Sequence, residues 1–149
     1  SSANQAWLVG GNTGPASNNL GQTGNAPLVF ITNNQNRMSV EANGDIFVAG
    51  SKPIYVRRYN CNGCDDPNRN TGVSTTDYVA VVAGFYPTSN SDAESTRAVV
   101  YQNAGTWWFK GDTEGPSGES WSVDIMFIKR QMIDDFRPAG SWNTGGTGF

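Results

Sequence analysis

Three groups of residues in this sequence have types and spacings that do chemistry. Trp107 and Trp108 are adjacent inside the burst Thr106-Trp107-Trp108-Phe109-Lys110. Neighbouring side chains on a strand point to opposite faces, so one tryptophan enters a core while the other faces outward. An outward ring can stack on the apolar face of a sugar, with polar neighbours supplying directional hydrogen bonds. Asp112 and Glu114 follow shortly after, and Arg57, Arg58 and Arg69 offer planar forks for anionic groups. An intersubunit contact serves either tryptophan equally well, and solvated edge-strand charge serves the arginines.

The second group is Cys61-Asn62-Gly63-Cys64, a Cys-x-x-Cys pair in a polar run rather than at a strand-to-helix turn. That setting gives little support to thioredoxin-type redox work and favours a local disulfide that shapes a loop. Half of an interchain metal site and a pair of free thiols are the other readings. The third group is Asp66, Asn68, Asn70 and Asp77, at the first, third, fifth and twelfth places of a calcium-loop spacing, with Gly72 able to lend a carbonyl. Pro67 and Thr71 depart from that pattern, Asp replaces the bidentate Glu, and no flanking helices are apparent, so an ordinary turn-rich loop competes with a weak Ca²⁺ site.

Catalysis has few footholds. The chain has no histidine, which removes Ser-His-Asp and Cys-His pairs, His zinc sites and imidazole acid/base steps. Asp112, Glu114 and Glu119 could face one another as a glycosidase pair, although solvated loop charge explains them as well. The expectation is a binding protein without a cofactor, not an enzyme. Ten Lys and Arg spread along a chain of net charge −3 leave no basic footprint for nucleic acid. No apolar run approaches the ~20 residues that cross a bilayer as a helix, so membrane insertion is not expected.

The elements that must position these residues read as all-β. Among 149 residues there are 18 Gly and 7 Pro, charged residues are 15% and hydrophobic ones 37%. The charged fraction falls below the ~25% of an ordinary domain; the 37% leaves out the 18 Gly, which bring no side chain to a core, so the core reads as modest and shared burial between copies stays open. Up to about Gly50, short bursts at Ala6–Val9, Pro27–Thr32, Arg37–Val40 and Asp45–Val48 alternate with Asn/Gly turns, of which Asn43-Gly44 is the strongest hairpin signal. From Lys52 the strands lengthen: Ile54–Tyr59, Tyr78–Tyr86, Arg97–Gln102, Thr106–Lys110 and Trp121–Lys129. Asn60 to Asp77 reads as one long loop, and Gln131 to Phe136 as a helical turn before a Gly/Ser/Asn tail anchored by Trp142. The spacing is that of an antiparallel sandwich over residues 51–149, behind a separate Gly/Asn-rich module over 1–50. In Trp121–Ile128 the odd positions are apolar, and toward the end the even ones are too, which places one face on a core and part of the other against a neighbour.

The run Leu20-Gly21-Gln22-Thr23-Gly24-Asn25-Ala26-Pro27-Leu28, continued by Val29-Phe30-Ile31, Thr32-Asn33-Asn34, Arg37-Met38 and Asn43-Gly44-Asp45-Ile46, resembles shaft-to-tip modules of bacteriophage tail fibres and of surface fibres in predatory, Bdellovibrio-type bacteria. In those a "LGT-x-x-N-x-PL" leader precedes an apolar strand, "TNN", "RM" and "NG". The resemblance covers the first third of the chain. Where such fibres end in a "GIGT"-type motif, this chain has Phe47-Val48-Ala49-Gly50, implying a hand-over to a different tip. The segments Gly105–Asp112 and Glu119–Ile128 are similar to the β-sandwich ends of phage tail fibres and, more loosely, to H-type lectin-like sandwiches.

The resemblance implies a homotrimer, with Leu28, Phe30, Met38 and Ile46 of each chain buried against the others about one axis. It implies an extracellular adhesin on a virion or bacterial surface, lectin-like, attaching to a cell-surface glycan or envelope polysaccharide by multivalent contact. It transfers architecture and no sugar-binding residue set. Trp107, Trp108, Arg57, Arg69, Asp112 and Glu114 are therefore the ligand candidates, with the loops Asn60–Asp77, Thr88–Ser95 and Gly111–Ser120 around them. A trimerisation cap that recognises nothing and a polysaccharide-degrading tailspike are the rival expectations.

Overall fold

The computed structural model describes residues 20–21, 23–61, 68–87, 96–113 and 120–134, apart from the side chains of residues 87, 96, 97, 112 and 113. The expected burst at Ala6–Val9 and the tail with Trp142 lie outside them. The chain divides into two compact units, Ser1–Ser51 and Lys52–Phe149. The described residues are all-β, with one 3-10 turn at Arg130–Met132 where a longer helical turn to Phe136 was expected.

In the first unit β1 (Leu28–Thr32), β2 (Gln35–Val40) and β3 (Ile46–Val48) form an antiparallel sheet in that order. Asn33 and Asn34 both take positive φ, 50° and 59°, in the two-residue turn joining β1 to β2. Asparagine tolerates that left-handed region, and two such residues match the right-handed twist of a hairpin. Between β2 and β3, Asn43 Oδ1 accepts the Asp45 N–H at 3.1 Å and Gly44 sits at φ 87°. Register places Leu28, Val40 and Ile46 in one row and Phe30, Met38 and Val48 in the next on the same face. None of the described residues of this unit is buried.

In the second unit β4 (Ile54–Cys61), β9 (Trp121–Lys129) and β6 (Tyr78–Pro87) form one antiparallel sheet in the order β4-β9-β6. A second sheet has the order β5-β8-β7, from β5 (Asn68–Ser74), β8 (Thr106–Thr113) and β7 (Thr96–Asn103). The two sheets share a core of Cys61, Val73, Ala80, Trp107, Phe109, Trp121, Val123, Ile125 and Phe127. Trp121, Val123, Ile125 and Phe127 are the alternate residues of β9, so the period-2 pattern becomes the inner face directly. Aromatic rings join the sheets: Tyr59 meets Phe109 at 5.0 Å between centroids, and Phe109 meets Trp121 edge-on at 6.1 Å. Gly111 is on this face because the Trp121 ring lies against the β8 backbone; a Cβ there would come within 2.7 Å of it.

The long loop expected from Asn60 to Asp77 is interrupted by β5, which corrects that reading. Its residues carry one aliphatic side chain, Val73, and pair with β8 across a bulge in which the four steps from Asn70 to Ser74 face the two from Trp108 to Thr106. Thr71, buried inside the bulge, donates its hydroxyl to the Trp107 carbonyl at 2.7 Å. Gly72 takes φ 73° at the bulge, and Asn70 Oδ1 accepts its N–H at 2.8 Å. The side chain thus supplies the turn chemistry that bends the strand.

Candidate functional site

The hairpin β7–β8 decides which tryptophan faces out. Its central residues Ala104 and Gly105 sit at φ 48° and 76°, a two-residue turn that pairs Asn103 with Thr106, Gln102 with Trp107 and Tyr101 with Trp108. Trp107 is 1% exposed and donates its indole N–H to the Tyr78 carbonyl at 2.8 Å. Its place among the ligand candidates is thereby corrected: it is a core residue with its one polar atom satisfied inside the sandwich. Trp108 lies on the other face, half-buried, with its indole N–H donated to Thr106 Oγ1 at 3.0 Å. That bond fixes the ring along the strand.

Around Trp108 the register assembles a small surface on the outer face of β5-β8-β7. Asn70 and Tyr101 flank it across the two neighbouring strands, and Asn68, Lys110 and Val99 form the next row. Tyr101 reaches over β8 to donate its hydroxyl to Asn68 Oδ1 at 3.0 Å. Burial raises the Tyr101 phenol above its ordinary pKa, and the Lys110 ammonium works against that shift. Asn68 Oδ1 accepts from Tyr101 and Asn70 Oδ1 from the Gly72 N–H, and each of these exposed side chains also carries an amide N–H₂ donor. With the Lys110 ammonium, the surface is rich in donors beside an indole ring. Such a combination suits a ligand with an apolar face and many acceptor oxygens.

The other sequence candidates do not join this surface. Arg57 Nη1 donates to the Thr71 carbonyl at 3.4 Å, and Tyr59 donates its hydroxyl to the same oxygen at 3.3 Å. Arg69 donates to the Asn60 carbonyl at 3.3 Å and approaches Cys61 Sγ at 3.8 Å. Both arginines therefore fasten edge strand β4 to edge strand β5, closing one side of the sandwich. Arg58 makes a bidentate pair with Asp124, both bonds 2.7 Å, and its guanidinium lies 4.8 Å from the Tyr86 ring centre. The backbone of Asp112 pairs with Arg97 in β8–β7. Glu114 and Glu119 lie outside the described residues, as do residues 62–67, 88–95 and 114–119 of the loops singled out.

The calcium-loop spacing of Asp66, Asn68, Asn70 and Asp77 falls partly on β5 and partly outside the described residues. A strand extends Asn68 and Asn70 in a line facing outward, whereas a cation needs its oxygens to curl around one point. Asp66 is outside the described residues, and among those described no three or more His, Cys, Asp or Glu side chains come together. Cys61 is disulfide-bonded and 1% exposed, and the chain holds two cysteines, Cys61 and Cys64. A shallow hollow of about 430 Å³ in the first unit, lined by Asn25, Glu41, Asn43, Asp45 and Phe47, has its carboxylates engaged by Ser39 and Asn43.

No family model, curated protein or solved structure matches this chain.

Sequence reasoning named Trp108 but missed Tyr101 and Lys110. The signal was present. Counting back from the turn Ala104-Gly105 pairs Tyr101 with Trp108, and Lys110 shares Trp108's parity, which marks that face as the solvated one.

Proposed function

We propose that this chain is the tip of a homotrimeric, extracellular attachment fibre that binds a cell-surface glycan through the outer face of β5-β8-β7. The observation that carries the binding part is the joining of Trp108, Tyr101, Asn68, Asn70 and Lys110 on one rigid sheet face. The indole offers a stacking surface, the two amides donate to ring and substituent oxygens, and Lys110 favours acidic sugars over neutral ones. A single shallow face of this kind binds weakly, and several copies on one tip multiply the effect by raising the local concentration of sites. The fibre setting rests on the resemblance of residues 20–46 to trimeric shaft-to-tip modules.

The reading is one of attachment. Asp124 is hydrogen-bonded by Arg58, which holds its carboxyl below the ordinary pKa, so this carboxylate is suited to an ion pair and not to general-acid work. The deciding experiment screens the intact protein against an array of bacterial surface polysaccharides and their acidic and neutral fragments. Trp108→Ala should abolish the retained signals, and Lys110→Gln should weaken acidic ligands selectively. An array with no ligand, or ligands held equally by the Trp108→Ala protein, refutes this site. New reducing ends in polysaccharide incubated with the protein would replace attachment with depolymerisation.

A further inference from the structure

Strand order puts Arg58 on the edge strand β4, Asp124 beside it on β9 and Gly84 beyond on β6, all on the outer face of that sheet. A bulge makes this row. The two steps from Val82 to Gly84 face the single step from Ile125 to Asp124, so Gly84 and Tyr86, rather than Ala83 and Phe85, come to the face of Asp124 and Ser122. Phe85 turns inward instead and stacks on Trp121 at 5.1 Å. Gly84 then seats the tyrosine: a Cβ there would come within 2.6 Å of the Tyr86 hydroxyl, because the Tyr86 side chain lies back along its own strand. The Arg58 guanidinium reaches across β9 to lie 4.8 Å from the centre of that ring, and its Nε and Nη2 donate to the two oxygens of Asp124 at 2.7 Å each.

Holding an arginine in this way adds little stability, since the Arg58 side chain is 56% exposed and ion pairs in such positions contribute little. What it supplies is direction. Nη1 keeps both of its hydrogens and Nη2 its second, with no partner among the described residues, and together they form the planar end of the fork that meets a carboxylate through two parallel bonds. Asn60 stands two places along the same face of β4 and is exposed. Its Oδ1 accepts the Ser122 hydroxyl at 2.8 Å, and its amide N–H₂ is a further donor.

We propose that this end of the β4-β9-β6 face is a second ligand site, at which Arg58 grips the carboxylate of a uronic-acid residue in an acidic polysaccharide and Asn60 donates to a neighbouring oxygen. The ligand class rests on the reading above, but the site uses neither Trp108 nor Lys110, which belong to the outer face of the other sheet. The chain carries a net charge of −3, so no general field draws an anion and a local, aimed donor set has to. A planar fork selects a planar carboxylate. With one site on the outer face of each sheet, a single sandwich can hold two polysaccharide strands.

Nuclear magnetic resonance on the isotopically labelled full chain tests this, using galacturonic acid oligomers and the same oligomers methyl-esterified as the uncharged control. The Arg58 Nε–H and Asn60 amide signals should move with the free acid and stay in place with the ester. In Arg58→Lys, which keeps the charge and loses the fork, the Asn60 shift should require about tenfold more oligomer. Gly84→Ala, which unseats Tyr86, should weaken binding in the same direction while Asp124 stays intact. The indole signals of the buried Trp107 and Trp121 report that each variant is folded. Movement of the Trp108 indole signal without Arg58 overturns this site and leaves the first standing, whereas movement at Arg58 alone supports this site and removes the first. No movement at either overturns both. Unchanged binding by Arg58→Lys, or equal shifts with the ester or with a glutamate-rich peptide, overturns the assignment to a uronate.

Discussion

The opposed roles of the adjacent tryptophans give the sharpest quantitative test. Trp107→Phe removes an indole N–H that reaches the Tyr78 carbonyl at 2.8 Å, from a site that is 1% exposed. Losing that bond inside the core costs about 1–3 kcal/mol. The smaller ring leaves a void of roughly 40 Å³, worth about 1 kcal/mol at ~24 cal/mol per Å³. The sum is about 3 kcal/mol, which for a chain of this size lowers the thermal midpoint by roughly 6–12 °C. Trp108→Phe leaves a half-buried position and frees Thr106 Oγ1 to water, so its cost stays below about 1 kcal/mol. Urea unfolding followed by far-ultraviolet circular dichroism measures both, at several fixed protein concentrations because association shifts apparent stability. Equal losses for the two variants, or a larger one for Trp108→Phe, would refute the assignment of faces.

Further perturbations follow from individual contacts. Gly111→Ala places a Cβ 2.7 Å from Trp121 Cη2, so overpacking should cost about 1–3 kcal/mol, read as a lower urea midpoint. The Asp124 carboxyl, held below its ordinary value near 3.8 by Arg58, contributes stability that is present above that value and lost as pH falls through its depressed folded pKa. An NMR titration should show the low midpoint, and Arg58→Gln should return it upward; no movement would remove the pair's role. Reducing the disulfide at Cys61 reopens a very short loop and should cost about 2 kcal/mol on loop-entropy grounds, seen as a lower thermal midpoint with dithiothreitol.

What could be read from the residues followed from how much of each element's identity is local. β9 announces itself because Trp121, Val123, Ile125 and Phe127 alternate, and these residues are the buried ones. β5 was hidden because Asn68, Arg69 and Asn70 have no strand preference of their own. They are extended by pairing with β8 across a long stretch of sequence and by an asparagine-capped bulge. The calcium spacing presumes a loop, whereas at Asn68 and Asn70 a partner strand imposes a line. Trp107 and Trp108 were legible as opposed, but their assignment to faces needed the register of the β7–β8 turn. The arginines looked available because a sequence does not show the carbonyls of Thr71 and Asn60 that lie waiting on the opposite edge.

The position of β9 has a consequence for how the protein is made. Among the described residues it is the last strand of the sandwich in chain order and the middle one of its sheet, with β4 and β6 paired to it on either side. A ribosome therefore delivers both flanking strands before the member that joins them. Until residue 129 has emerged, β4 and β6 lack the strand that joins them, and Tyr55, Tyr59, Ala80 and Val82, which the finished core covers, stay open to neighbouring nascent chains. Polysomes synthesising this chain should thus gather their products into clusters before any of them is finished, and termination anywhere short of β9 should yield aggregate rather than a smaller soluble domain.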